Sequence, residues 1–245
     1  MPRYTMTIPV SMPQWVYQSA RTVWHAVRRA SSREPGDINL LGDRDMEWSW
    51  ILAHLPSGPG EALDVGSGES PLALVAAQRG FHVTAVDLEP VRWPYIHPAL
   101  QAMQGDLLTL ALAAARFDVV INCSTIEHIG LTGRYGVTED RPNGDLEVMD
   151  RLRHAMKPGG MMLLTTPVGR DALFAPLCRV YGAQRLPRLL EGYQLDEQTY
   201  WAKDEHNRWI NTERDIALRV EASVSSQNPL QNRYALGCFL LRNVR

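Results

Sequence analysis

An α/β fold built on a doubly wound, largely parallel sheet is what this chain predicts, and three observations carry the prediction. A short apolar strand runs through Glu61-Ala-Leu-Asp-Val65 into Gly66-Ser-Gly68, with Pro71 close behind. A second strand, Phe81-His-Val-Thr-Ala-Val-Asp87, is rich in β-branched residues and ends in an acid about twenty residues after Asp64. The 245 residues, 45% of them hydrophobic, suffice for one sizeable core.

Taken in order, residues 13–30 place Trp15, Val16, Ala20, Val23, Trp24 and Val27 on one helical face and Arg21, Arg28 and Arg29 elsewhere. That pattern suits a packed accessory helix, a lid over a ligand, or a helix lying on a membrane surface. Ser31 to Asp37 reads as a linker, and Gly42 to Leu52 as a second helix that Asp43 can cap. Residues 1–55 are therefore expected to be accessory helices and 56–245 the main domain.

In the loop after the first strand, Gly66 and Gly68 allow a turn that lets a ligand lie against the main chain. Pro71 fits the first helical position, where its missing N–H costs nothing. A tight βα turn explains the glycines equally well. The third glycine of a dinucleotide fingerprint is absent, its place taken by Pro71. A nucleoside ligand without a pyrophosphate relaxes that requirement.

With Asp64-Val-Gly-Ser-Gly68 and Asp87, the chain resembles the class I S-adenosylmethionine (SAM)-dependent methyltransferases, whose first motif reads acid-x-Gly-x-Gly and whose second strand ends in an acid. Gln104-Gly-Asp-Leu107, a fourth strand Phe117-Asp-Val-Val-Ile-Asn122, and Met156-Lys-Pro-Gly-Gly160 before a fifth strand Met161 to Pro167 extend the resemblance. It implies a Rossmann-like sheet of seven strands, the last antiparallel at the sheet edge, and SAM as cofactor with S-adenosylhomocysteine as product. It also implies a cofactor site of Asp64, Gly66, Ser67, Gly68, Asp87 and Leu88, with Asp106 and Leu107 beside the adenine. Asn122 and, more remotely, Arg44 would then face the methionine part. Beyond the fifth strand, a helical stretch from Asp171 to Leu190 broken at Pro187, a sixth strand Tyr193 to Trp201, a short helix after Thr212 with Asp215 as its capping-box acid, and a closing strand Tyr234 to Leu241 are expected.

Composition narrows the function. A net charge of −2 gives no global basic field, so nucleic acid is not the expected partner. Three cysteines without C-x-x-C spacing suit a reduced, cytoplasmic chain. No apolar run approaches a membrane span and the N-terminus lacks a signal-peptide core. Asp140, Asp145 and Asp150 are scattered, so no metal is expected. The oligomeric state is not legible.

In such a sheet, reacting groups come from loops beyond the carboxyl ends of the strands. Cys123 to Gly136 contains Glu127-His128, similar to a pair found after strand four in many small-molecule methyltransferases. Ala202 to Trp209 contains His206 among Asp204, Glu205, Asn207 and Arg208. Histidine suits removal of a hydroxyl proton, so His128 and, second, His206 are the candidate bases. His128 as a turn cap, Glu127 as a loop organiser and His206 as a solvated loop residue are the plainer alternatives. Glu127, Arg134, Tyr135, Trp201 and Trp209 are candidate substrate contacts, although a bare turn between Gly133 and Gly136 and core anchoring of the tryptophans explain the last four. The expected activity is methyl transfer from SAM to a small-molecule acceptor, a hydroxyl of a sugar or secondary metabolite, with N-methylation or a non-catalytic SAM-binding partner as alternatives. The fourth strand ends in Asn122-Cys-Ser-Thr125, without the Asn/Asp-Pro-Pro-aromatic sequence of base-amino methyltransferases, without the acids of aminopropyl transferases, and with no Tyr-x-x-x-Lys pair as in a short-chain dehydrogenase.

Overall fold

The computed structural model describes residues 43–244 apart from Glu69, Arg92, Pro94, Arg134, Asn207 and residues 226–231. The expected helix over 13–30 with its lid role, the linker at 31–37 and the Arg134 contact lie outside the described residues.

Helix α1 (Arg44–His54) leads into strand β1 (Gly60–Val65), helix α2 (Leu72–Gln78), β2 (Phe81–Asp87), β3 (Leu100–Gln104) and β4 (Phe117–Cys123). A 3-10 turn (Ile126–His128), helix α3 (Gly144–Ala155) and β5 (Met156–Val168) follow. Then come a hairpin, β6 (Ala172–Phe174) and β7 (Cys178–Val180), the short α4 (Arg185–Leu189), β8 (Tyr193–Lys203), β9 (Trp209–Thr212), α5 (Arg214–Ala217) and β10 (Ala235–Asn243). The main sheet has the order β3-β2-β1-β4-β5-β10-β8-β9. Strands β1 to β5 run parallel. Strand β10 is antiparallel to both β5 and β8, and β9 is antiparallel to β8.

The two-residue period of the strands divides the core. Leu63, Val65, Val120, Met162 and Leu164 pack with Val148, Met149 and Leu152 of α3. Ala62, Val83, Ala85, Ile121 and Leu163 pack on the other face with Trp50 and Ile51 of α1 and Leu72, Ala73 and Ala76 of α2. Each fully buried aliphatic side chain such as Ile51 contributes about 1.5–3 kcal/mol relative to exposure. The same parity sends the polar residues at the strand ends to opposite faces. Asp64, Asp87 and Thr165 share the α1/α2 side; Asn122 and Thr166 share the α3 side.

The α/β class, the parallel sheet and the antiparallel closing strand are as the sequence predicts, with four differences. Among the described residues the sheet has eight strands, because Trp209 to Thr212 pairs with Tyr200 to Lys203 and extends the edge beyond β8. Strand β10 sits inside the sheet, and its run from Ala235 to Phe239 is buried throughout, as an interior strand requires. The stretch after Asp171 is the β6–β7 hairpin, not a helix. Pro176, in a cis peptide with Ala175, stands at its turn, Val180 and Tyr181 are buried, and Tyr181 bridges Val168. The Asp171 carboxylate accepts from the N–H groups of Gly182, Gln184 and Arg185 and so shapes the entry to α4, which contains Pro187 instead of breaking there. Finally, neither expected helix cap forms: Asp43 precedes α1 without a side-chain capping bond, and α5 follows Glu213 with none.

Candidate functional site

Strand β1 delivers its loop to the carboxyl edge of the sheet. Gly66 has φ +66° and Gly68 φ +46°, the left-handed region where a side chain is costly. The Gly66 N–H donates to Val86 O at 2.8 Å and the Gly68 N–H to Asp87 Oδ2 at 2.9 Å, tying the loop to the end of β2. Asp87 Oδ1 accepts from the Glu89 N–H at 2.9 Å, and its carbonyl accepts from the Gly105 N–H at 2.8 Å, bringing in the end of β3. Leu88 joins the same junction, since its carbonyl accepts from Gln104 Nε2 at 3.0 Å. Asp106 folds a turn, with Oδ1 accepting from the Leu108 N–H at 2.9 Å, while the Leu107 side chain is buried in the α3-side core.

A nucleoside ligand fits these residues. The bare main chain at Gly66 and Gly68 gives it room, and three buried polar atoms, Asp64 Oδ2, Ser67 Oγ and Asn122 Oδ1, lack a hydrogen-bond partner among the described residues, apart from the approach of the Ser67 hydroxyl to the Asp64 carboxyl. Such atoms call for a polar guest. Burial pushes the Asp64 carboxyl up to about 7, and the nearby Asp87 charge adds to the effect. Asn122, one residue before the end of β4, has Nδ2 at 3.9 Å from Met149 Sδ, on the α3 side. Arg44 is exposed at the start of α1, its guanidinium 6.0 Å from the Trp48 ring centre.

Sequence reasoning missed a second group of residues over the ends of β4 and β5. Glu47 of α1 is only 1% exposed. Its Oε1 accepts from the hydroxyls of Ser124 and, at 2.8 Å, Thr165. Ser124 itself has φ +42°, an unusual conformation for a non-glycine residue. Asp43, one helical turn before Glu47, is buried against the Tyr234 hydroxyl, and burial followed by the Glu47 charge raises its carboxyl to about 8. The signal was present in the sequence: two acids spaced i, i+4 on the helix face that also carries Trp50 and Ile51.

Glu127, in the 3-10 turn after β4, is 2% exposed and accepts from Thr166 Oγ1 at 3.3 Å. Burial, with Glu47 and Asp43 nearby, lifts it to about 8, so the group is largely uncharged at neutral pH. Beside it, His128 Nε2 lies 3.7 Å from Glu127 Oε1, and Nδ1 lies 2.6 Å from the Leu177 carbonyl in the β6–β7 turn. A carbonyl only accepts, so Nδ1 carries the hydrogen and Nε2 is the basic nitrogen of the neutral ring. The Tyr135 ring stands edge-on to the imidazole at 6.1 Å.

The other expected site residues group elsewhere. His206 occupies the β8–β9 turn with its side chain 66% exposed, and among the described residues it meets only the nearby Asp204 and Glu205. Trp201 and Trp209 lie on β8 and β9 and pack against the α1-side core, with Lys203 Nζ 4.9 Å from the Trp209 ring centre. The structure thus brings His128, Glu127 and Tyr135 together and holds His206 and the two tryptophans on the β8–β9 hairpin. Among the described residues, no three His, Cys, Asp or Glu side chains gather as metal ligands, and no helix is long and apolar enough to cross a membrane.

A glycine loop joined to an acid at the next strand end, with a histidine after the fourth strand, defines an enzyme class that acts with a nucleoside cofactor. Comparison with known proteins gives the family. Ubiquinone biosynthesis O-methyltransferase of Xylella fastidiosa is 30% identical over 196 residues, covering 76% of this chain and 72% of that protein. Its counterpart in Azotobacter vinelandii is 29% identical over 198 residues, 77% of this chain and 78% of that one. Residues 109–228 match a family model described as Caenorhabditis protein of unknown function, DUF268. The fold is shared with Burkholderia thailandensis 1,6-didemethyltoxoflavin-N1-methyltransferase, at TM-score 0.56 and 15% identity over 98% of this chain and 93% of that one. It is also shared with an S-adenosylmethionine-dependent methyltransferase of Mesorhizobium loti, at TM-score 0.51 and 16% identity over 80% and 97%. The chain belongs to the class I SAM-dependent methyltransferases, a family that works with S-adenosylmethionine.

Proposed function

We propose that the protein transfers the methyl group of SAM to a hydroxyl of a small molecule, a sugar or secondary metabolite, with His128 as general base. The observation that carries this reading is the His128 geometry: Nδ1–H is held by Leu177 O at 2.6 Å, which makes Nε2, 3.7 Å from Glu127 Oε1, the basic nitrogen. The O-methyltransferase relatives support an oxygen acceptor.

In this reading, Asp87 holds the ribose hydroxyls, Asp64 to Gly68 and Leu88 line the nucleoside, and Asp106 and Leu107 border the adenine. Asn122 and Arg44 face the methionine part. Bound SAM supplies an electrophilic sulfonium methyl group. His128 Nε2 takes the proton of the attacking hydroxyl, a contribution of about 10²- to 10⁴-fold. Glu127, uncharged, orders the loop, and Tyr135 borders the acceptor. Trp201, Trp209 and His206 form an outer wall on the β8–β9 hairpin.

The test is turnover. The protein is incubated with SAM and a panel of hydroxyl and amine acceptors, S-adenosylhomocysteine is quantified, and the methylated atom is located by NMR. Turnover with hydroxyl acceptors is expected. Turnover with amines alone means N-methylation, and SAM binding without turnover across the panel means a binding protein.

A further inference from the structure

We infer that Arg179 is a positioning residue for this site: it staples the loop after β4 to the β6–β7 hairpin and thereby sets which imidazole nitrogen of His128 carries the hydrogen. The inference rests on the His128 reading for its catalytic consequence, though not for its structural one.

Arg179 lies on β7, two residues after Leu177, and is 3% exposed. Its guanidinium donates from Nη1 to Ile129 O at 2.6 Å and, more weakly, to Glu127 O at 3.5 Å. From Nη2 it donates to Arg141 O at 3.2 Å and Pro142 O at 3.4 Å. One side chain thus grips the loop on both sides of His128 and again where the loop enters α3. The planar fork of donors matches this set of carbonyls, which a lysine ammonium cannot span.

A buried cation needs an anion, and Asp145 supplies it. Asp145 is fully buried, with Oδ1 at 3.8 Å from Arg179 Nε. Arg185 Nη2 and Nε reach its two oxygens at 2.6 and 2.9 Å, and the Tyr181 hydroxyl donates to it at 3.1 Å. The hairpin that carries Leu177 O and the loop that carries His128 are therefore clamped through one guanidinium. The 2.6 Å contact between His128 Nδ1 and Leu177 O depends on that clamp. Removing it strands carbonyls without donors and frees the ring to rotate or to exchange tautomers.

The test reads the tautomer directly. Protein labelled with ¹⁵N-histidine is examined by long-range ¹H–¹⁵N NMR, and the His128 signals are identified by their loss in His128→Ala. In the wild type, Nδ1 is expected to be protonated and Nε2 unprotonated once the ring is neutral. In Arg179→Lys and Arg179→Gln the Nε2–H form should become substantial, and kcat should fall about tenfold or more while KM for SAM stays within twofold. A wild-type ring that is mainly Nε2–H overturns the inference without any variant. So does an Arg179→Lys protein with the wild-type tautomer and kcat. If His128→Ala turns over at the wild-type rate, the base assignment fails, and the tautomer measurements still decide the role of Arg179.

Discussion

Gly66 and Thr125 are so close that a Cβ on the glycine would lie 2.1 Å from Thr125 Oγ1. The Thr125 hydroxyl donates to Val65 O at 3.0 Å, so the loops after β1 and β4 meet without space between them. One loop is the proposed cofactor loop and the other carries His128. Their contact ties the binding half of the site to the half assigned to chemistry.

Gly66→Ala should therefore cost more than the ordinary penalty of a left-handed residue. Overpacking adds about 1–3 kcal/mol to a conformational cost of roughly 1–2 kcal/mol. Gly136→Ala is the control, since Gly136 has φ +74° but nothing within 4 Å of its Cβ position. Urea unfolding of both variants should show the larger loss at position 66, accompanied there by weakened SAM binding. Equal losses would mean that the Thr125 contact yields freely.

Asp87→Ala should weaken SAM by about 1.5–3 kcal/mol, the scale of hydrogen bonds to a charged group. Isothermal titration calorimetry measures it, with NAD giving no heat. Because Asp87 also holds the Gly68 N–H, Asp87→Asn should recover part of the loss. A folded Asp87→Ala protein with unchanged affinity removes the ribose assignment.

Stability should depend on pH through the buried carboxyls. Asp43 and Glu127 are raised to about 8 and Asp64 to about 7, each first by burial, and Glu47 is raised in the same sense. In the unfolded chain these acids ionise near pH 4. Between pH 4 and 8 the unfolded state has released protons that the folded state retains, so the folded state loses ground as pH rises. Asp118, Asp140 and Asp204 are shifted the opposite way, but their contribution is lost only below about pH 4. The urea midpoint of the unliganded protein should accordingly be lower at pH 8.5 than at pH 6, with a shallower slope in Glu127→Gln. A midpoint that climbs over that range would contradict the assignment.

His128→Ala should leave SAM affinity within about twofold while lowering turnover about a hundredfold, because the proton acceptor matters only in the transition state. The pH–rate profile should also lose its ascending limb near neutrality. Should the variant keep most of its rate, His206→Ala becomes the informative mutant, and two fully active variants would end the histidine-base reading while leaving the family assignment intact.

What the sequence alone determined is the repeating part of the molecule: the glycine turn after an apolar strand, the acid at the end of the next, and the order of strands up to Pro167. These are local patterns with a fixed period, so neighbouring residues suffice to specify them. Tertiary structure decided the rest. Asp171 to Tyr181, expected as helix from its local pattern, is instead a hairpin, because Val180 and Tyr181 find burial against the end of β5. Asp43 reads as a helix cap and Glu47 carries no signal of its own, until the fold brings both over the ends of the sheet, where Thr165, Ser124 and Tyr234 meet them. The hydrogen on His128 Nδ1 follows from Leu177, 49 positions along the chain, through a carbonyl that every residue possesses. A backbone acceptor leaves no mark in the sequence, and only the folded chain brings it within reach.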